Sequence, residues 1–197
     1  MPQALDDAAL KQLFLDARTF NKFQPRPVDD ATLHALVDLM KWGPTSMNGQ
    51  PGRIVFVRSP EAKQKLKGAL AAGNVDKTLA APVTAIIAYD TRFHEHLPTQ
   101  FPAMPHARDM FQGNAGLIEA TGLRNSSLQG AYLILAARAL GLDSGAMSGF
   151  DNAAVDAAFF PDGQWKSNFL INLGYGDPSG NWPRGPRLPF DTMARIA

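Results

Sequence analysis

Val83-Thr84-Ala85-Ile86-Ile87-Ala88-Tyr89 is an almost unbroken apolar run that follows the stop signal Pro82. A strand with one wet face alternates apolar and polar residues, so a run without alternation is expected to be covered on both faces and central in its sheet. Residues 74–80 before it read as a short helix, and residues 124–140 after it as a core helix with Leu128, Ala131, Tyr132, Leu135, Ala136 and Ala139, closed by Gly141. Further out, 54–57 and 169–175 read as strands. Ser59-Pro60 reads as the cap and first turn of a helix to about Leu70, 151–159 as a short helix, and 144–149 as a turn. Near the N-terminus Leu10, Leu13, Phe14 and Ala17 recur at three and four positions and predict a helix over 6–21. Asp29 and Asp30 are caps for a second helix, whose stripe of Leu33, Leu36, Val37 and Met40 ends at Gly43-Pro44. Buried strands covered by helices make the class α+β or mixed α/β.

Composition narrows the function. The 197 residues read as one domain, with no repeat and no dividing linker. Nineteen Lys and Arg against eighteen Asp and Glu leave a charge of +1, too balanced for a protein that neutralises many phosphates of a nucleic acid. There is no cysteine, which excludes disulfides, thiol catalysis and thiolate metal sites. The acidic N-terminus and the lack of an apolar run of roughly 20 residues lead us to expect no membrane partner and a cytoplasmic location. Over 90–122 periodicity disappears while prolines, histidines and aromatics accumulate, as in a lid.

The familiar catalytic signatures fail. Gly174-Tyr175-Gly176 has the wrong spacing for a dinucleotide loop, and Pro178 and Pro183 stand where its helix would be. His94 and His96 lack a third ligand at a metal spacing, and the serine of Gly145-Ala146-Met147-Ser148-Gly149 sits one place too late for a nucleophile elbow. What remains is dispersed. Arg18 and Thr19 close the first helix, while Arg184 and Arg187 lie in the tail. If the tail folds back, three guanidiniums and a hydroxyl converge as a phosphate monoester requires; otherwise they are solvated surface groups. Ser46 and Asn48 in the proline-bounded loop, and Asn74 with Lys77 one turn apart, could read a heterocycle edge or merely cap.

Several ordered motifs carry a resemblance. Ala17-Arg18-Thr19-Phe20-Asn21-Lys22-Phe23, the loop Gly43-Pro44-Thr45-Ser46-Met47-Asn48-Gly49-Gln50-Pro51, Asn74 with Lys77, Met147-Ser148-Gly149-Phe150-Asp151, and Leu173-Gly174-Tyr175-Gly176 with Arg187-Leu188-Pro189 succeed one another along nearly the whole chain. In this the sequence resembles the flavin mononucleotide-dependent nitroreductase superfamily. Lys41-Trp42-Gly43-Pro44, Arg124-Asn125-Ser126-Ser127 and Ala146-Met147-Ser148-Gly149-Phe150-Asp151 are similar to the branch of the malonic semialdehyde reductases. Ala17 and Asn21 stand where many relatives are basic, Gly52 where many have tryptophan, and Ser148 where some have glutamate.

The resemblance implies an α+β fold with a mixed, mainly antiparallel sheet flanked by helices, and an intertwined homodimer with two FMN sites at the interface. Arg18, Thr19, Asn21, Asn74, Lys77, Met147, Ser148, Gly149, Arg184 and Arg187 would serve from one chain, and Pro44, Thr45, Ser46 and Asn48 from the other. It also implies ping-pong hydride transfer from NADPH or NADH through flavin N5, with Lys77 at the N1 and O2 edge, the Ser148 amide at N5 and no catalytic side chain. Malonic semialdehyde would need a cation, with Arg108, Arg124, His94 and His96 as candidates; a nitroaromatic or quinone would need an aromatic shelf from Phe93, Phe101 or Phe111. A non-catalytic flavin-binding protein is the alternative outside enzymes.

Overall fold

The computed structural model describes residues 3–197. Four strands, β1 (Gly52–Val57), β2 (Val83–Asp90), β3 (Asp143–Met147) and β4 (Trp165–Gly174), form one sheet in the order β1-β2-β4-β3. All three pairings are antiparallel, and a single parallel bridge joins Thr19 to Ser144. As its sequence predicts, β2 is an inner strand and every one of its residues is buried.

Helices cover both faces. They are α1 (Asp7–Leu10), α2 (Asp30–Met40), α3 (Pro60–Lys67), α4 (Ala72–Ala80), the short α5 (Leu97–Gln100), α6 (Ala115–Ala139), α7 (Asn152–Phe159) and α8 (Phe190–Met193). On one face Leu33, Leu36 and Met40 of α2 and Leu133, Ala136 and Ala137 of α6 pack on Ala85, Ile87, Ile171 and Leu173. On the other, Leu66 of α3 and Val155 of α7 pack on Ile86, Ala88 and Leu170. Truncating a fully buried residue such as Leu36 to alanine would cost about 2–5 kcal/mol. Of the expected caps, Asp29 and Ser59 accept from the amides of Thr32 and Ala62, whereas Asp30 is already the first residue of α2; Asp151, expected to start its helix, instead caps α7 by accepting from the Ala154 amide, and Gly141 ends α6 with φ 76°.

Several boundaries differ from expectation: β4 begins at Trp165 rather than 169, and α3 ends at Lys67 rather than about Leu70. The first helix does not reach residue 21; α1 passes into a π-helical turn at Lys11–Leu15 and stops. Beyond it the backbone is drawn onto the sheet edge, where the Phe20 amide donates to the Ser144 carbonyl at 3.0 Å. An edge strand offers unpaired backbone groups, and here the chain itself supplies a partner. Residues 144–149 are therefore not a turn throughout: 143–147 form β3, and only Ser148 and Gly149 lie outside the strand. The long helix begins at Ala115, well ahead of the expected Arg124, capped by Asn114. Its glycines mark close approach to the sheet rather than a break, because a Cβ on Gly122 or Gly130 would collide with the rings of Tyr89 and Phe169.

Residues 93–111 fold into a small core of their own. Phe93, Leu97, Ala107 and Phe111 are buried together, with Met47 and Phe101 packed against them.

Candidate cofactor site

The tail does fold back. After the turn at Pro178–Gly180, Arg184 donates to the Ala17 carbonyl at 3.0 Å, while Arg18 donates to the carbonyl of Trp182. The anchor lies just before this crossing, where the Lys22 ammonium meets Asp177 Oδ2 at 2.8 Å and Ser179 Oγ at 3.0 Å. The Lys22 and Ser179 hydrogen bonds pull the Asp177 carboxyl down to about 2. The fold-back encloses a cavity of about 290 Å³ lined by Arg18, Thr19, Asn21, Arg184 and Arg187, and no acid lines it. None of the three guanidiniums is paired with a carboxylate among the described residues. Their visible partners are backbone carbonyls: Arg187 donates to those of Gly185 and Pro186 at 3.0 and 3.2 Å.

Asn21 joins this hollow to α4. Its side-chain carbonyl lies 3.5 Å from the Lys77 ammonium. One turn earlier on α4, Asn74 donates to the Gly149 carbonyl at 2.8 Å, and the Ala71 amide donates to the same oxygen at 3.0 Å. A Cβ on Gly149 would lie 2.4 Å from the Asn74 side-chain nitrogen, so any larger residue would have to displace that side chain. Arg18, Thr19, Asn21, Asn74, Lys77, Gly149, Arg184 and Arg187 thus fall in one connected region. The side chain of Met147 is buried, its sulfur accepting from Thr78 Oγ of α4 at 3.5 Å; the neighbouring Ser148 is exposed.

Pro44, Thr45, Ser46 and Asn48 lie elsewhere in the chain. No hydrogen bond among the described residues links them to the Arg18 and Lys77 region. The Ser46 amide donates to Asn125 Oδ1 at 2.8 Å, the Asn48 amide group to the Gln100 carbonyl at 2.9 Å, and the Gln50 amide to Thr45 Oγ at 3.1 Å. Met47, Asn48 and Gln50 hold φ of 52°, 50° and 42°, left-handed backbone that this network fixes. Gln100 and Gln129 are the partners that sequence reasoning missed, for want of any motif. Gln129 also explains the departure at Gly52: its Oε1 accepts from the Gly52 amide at 2.7 Å, and a Cβ at Gly52 would lie 2.6 Å from it. A tryptophan has no room there.

Two aromatics expected as a shelf are not available. Phe93 and Phe111 are each 1% exposed, and the His94 ring stacks on Phe111 at 5.8 Å, where burial lowers its pKa. Arg108 and Arg124 are exposed, Arg108 beside Asp109 at 3.6 Å. Among the described residues no cluster of three His, Asp or Glu side chains could hold a metal. A larger cavity of about 820 Å³ opens at the other end of β2 and β4, beside Tyr89 and Asp156, away from the guanidiniums. Glu95, Glu119 and Asp156 line it, and of these Asp156 accepts from the Ser167 amide at 2.7 Å.

The sequence model of the Nitroreductase family matches residues 16–175. The chain belongs to the nitroreductase family. A Burkholderia lata protein with the provisional name NADH dehydrogenase/NAD(P)H nitroreductase is 65% identical over 192 residues, 98% of each chain. Among solved members of the nitroreductase fold, ydfN of Bacillus subtilis superposes with a TM-score of 0.87 at 22% identity, over 98% of this chain and 100% of its own. A nitroreductase of Exiguobacterium sibiricum, solved in complex with FMN, gives 0.86 at 18% identity over the whole of both chains. The guanidinium hollow and the α4 seam are therefore features of a nitroreductase-family protein.

Proposed function

We infer that the chain is a flavin-dependent oxidoreductase that holds FMN and takes reducing equivalents from NADPH or NADH. The observation that carries this reading is the acid-free hollow of Arg18, Arg184 and Arg187, continuous through Asn21 with Lys77. A phosphate monoester is an anion with several acceptor oxygens, which forked guanidiniums match. The donor set fits FMN at both ends, with cations at one, and the Asn74 amide, the Lys77 ammonium and the close Asn74–Gly149 seam at the other. The names of the B. lata relative and of the E. sibiricum complex support the same cofactor and reductant.

When bound, FMN supplies the centre that accepts and donates hydride. The chain's own residues bind and orient it. Arg18, Arg184 and Arg187 would grip the phosphate with Thr19 and Asn21, Lys77 would stabilise negative charge at the N1 and O2 edge, and the Ser148 amide would donate to N5. No side chain need act as acid or base.

The working unit we propose is a homodimer, with Pro44, Thr45, Ser46 and Asn48 of a second copy completing each site. Phe14 is 53% exposed, Leu128 42% and Phe190 59%, and with Leu10, Leu39 and Trp42 they are the apolar side chains a second copy would cover.

For the acceptor we propose malonic semialdehyde. The exposed cations Arg108 and Arg124 suit its carboxylate, and the burial of Phe93 and Phe111 removes two of three aromatics that a flat nitro compound would stack on. A second reading, reduction of nitro compounds or quinones, is favoured by the name of the 65% identical relative.

Anaerobic mixing with NADPH, then NADH, tests the core of the proposal by bleaching of the flavin band. Reoxidation by malonic semialdehyde faster than by a nitroaromatic supports the first acceptor; the reverse order supports the second. Flavin that never bleaches overturns the oxidoreductase reading in favour of simple binding, and a protein that refuses FMN overturns the cofactor.

A further inference from the structure

One lysine of α3 points inward. Lys63 is 5% exposed, and its ammonium donates to the Thr78 carbonyl and to Thr84 Oγ, each at 2.7 Å. It belongs to none of the ion pairs among the described residues. A buried cation without a counter-ion is costly, and a leucine or methionine would fill the same space without that cost. The compensating groups identify what the charge holds. Thr78 lies in the last turn of α4, the negative end of the helix dipole. The Thr84 hydroxyl passes the chain on, donating to Asn172 Oδ1 at 2.7 Å. The Asn172 amide group in turn lies 3.4 Å from the Lys77 carbonyl and from Thr78 Oγ, and Thr78 Oγ donates to the Met147 sulfur. Thr78, Thr84 and Asn172 are fully buried. One dry network therefore clamps the carbonyls of residues 77 and 78 and reaches the end of β3.

We propose that Lys63 is a positioning residue of the flavin site, holding the last turn of α4 so that the Lys77 ammonium and the 147–149 turn keep their places relative to one another. It rests on the FMN reading and deepens it. The residue touches no cofactor; it acts through the backbone of the one that does.

The test compares wild type, Lys63→Met, Lys77→Met and the double variant by dissociation constants for oxidised and reduced FMN and by the midpoint potential of the bound flavin. Lys63→Met is expected to weaken reduced FMN about tenfold more than oxidised FMN, with a more negative potential, and to add little in the Lys77→Met background. A residue that merely supports the fold would lower Tm and weaken both redox states alike; that outcome, or additive effects in the double variant, overturns the proposal. Should Lys63→Met fail to fold, Thr84→Val breaks the same relay and is read the same way. Wild type that binds no FMN overturns the flavin reading itself, whereas wild type that binds it while the variants match its potential overturns only the role of Lys63.

Discussion

Asn74 and Gly149 are joined by a 2.8 Å hydrogen bond from side-chain amide to backbone carbonyl, and this contact locks α4 to the turn that leaves β3. The two walls of the candidate site are consequently one unit. Displacing either moves the donors of both.

Gly149→Ala tests that unit. The added methyl would strike the Asn74 amide, so Asn74 must swing away and release the Gly149 carbonyl. We expect FMN affinity to fall about tenfold, in line with a lost hydrogen bond and a misplaced donor, and Tm to drop by a few degrees. Fluorescence titration with FMN measures the first; an unchanged dissociation constant would show the seam is not part of the cofactor site.

Arg187→Ala should separate the phosphate from the ring. A charge-assisted contact contributes about 1.5–3 kcal/mol, so FMN should bind about 10- to 100-fold more weakly while riboflavin, which has no phosphate, binds nearly as before. The ratio of the two dissociation constants is the readout. Equal losses for both ligands would remove Arg187 from the phosphate site.

Burial pushes the Lys63 pKa down to about 8 from 10.5. Between those values the unfolded chain keeps a proton the folded chain has released, so folding stability contributed by this site rises with pH; below 8 both states are protonated and the full desolvation cost is present. Relative to Lys63→Met, wild type should gain up to about 3 kcal/mol between pH 8 and 10.5. Urea unfolding of both proteins at several pH values checks it, and a difference independent of pH would contradict it.

Leu128→Glu places a charge on the exposed apolar stripe of α6 without touching the sheet-facing residues. We expect light scattering to report a shift from dimer to monomer and FMN binding to be lost with it. Monomeric wild type would overturn the homodimer, and a dimeric Leu128→Glu with normal FMN binding would place the interface elsewhere.

The sheet was legible because Val83 to Tyr89 had no polar face to misread, and the caps at Asp29 and Ser59 because capping is local chemistry. Legibility failed where long-range contacts override propensity. The sequence places the helix start after Gly122, at Arg124, although Gly122 lies inside α6 against the ring of Tyr89. Thr19 and Phe20 leave their helix only because a sheet edge needs partners. In the site, the arginines were readable as a set, conditional on a fold-back that only the structure supplies. Lys63 was invisible, since nothing in Pro60–Lys67 distinguishes an inward lysine from its solvated neighbours.

The bond from Arg184 to the Ala17 carbonyl spans 167 positions of a chain that has no cysteine. An anion shared by Arg18 and Arg184 would fasten the two extremities of the polypeptide as a reversible cross-link, closing a loop whose entropy a covalent bridge would otherwise have to remove. Occupancy, heat resistance and protection of the tail from proteases would then rise and fall together, making the ligand a structural brace as well as a reagent.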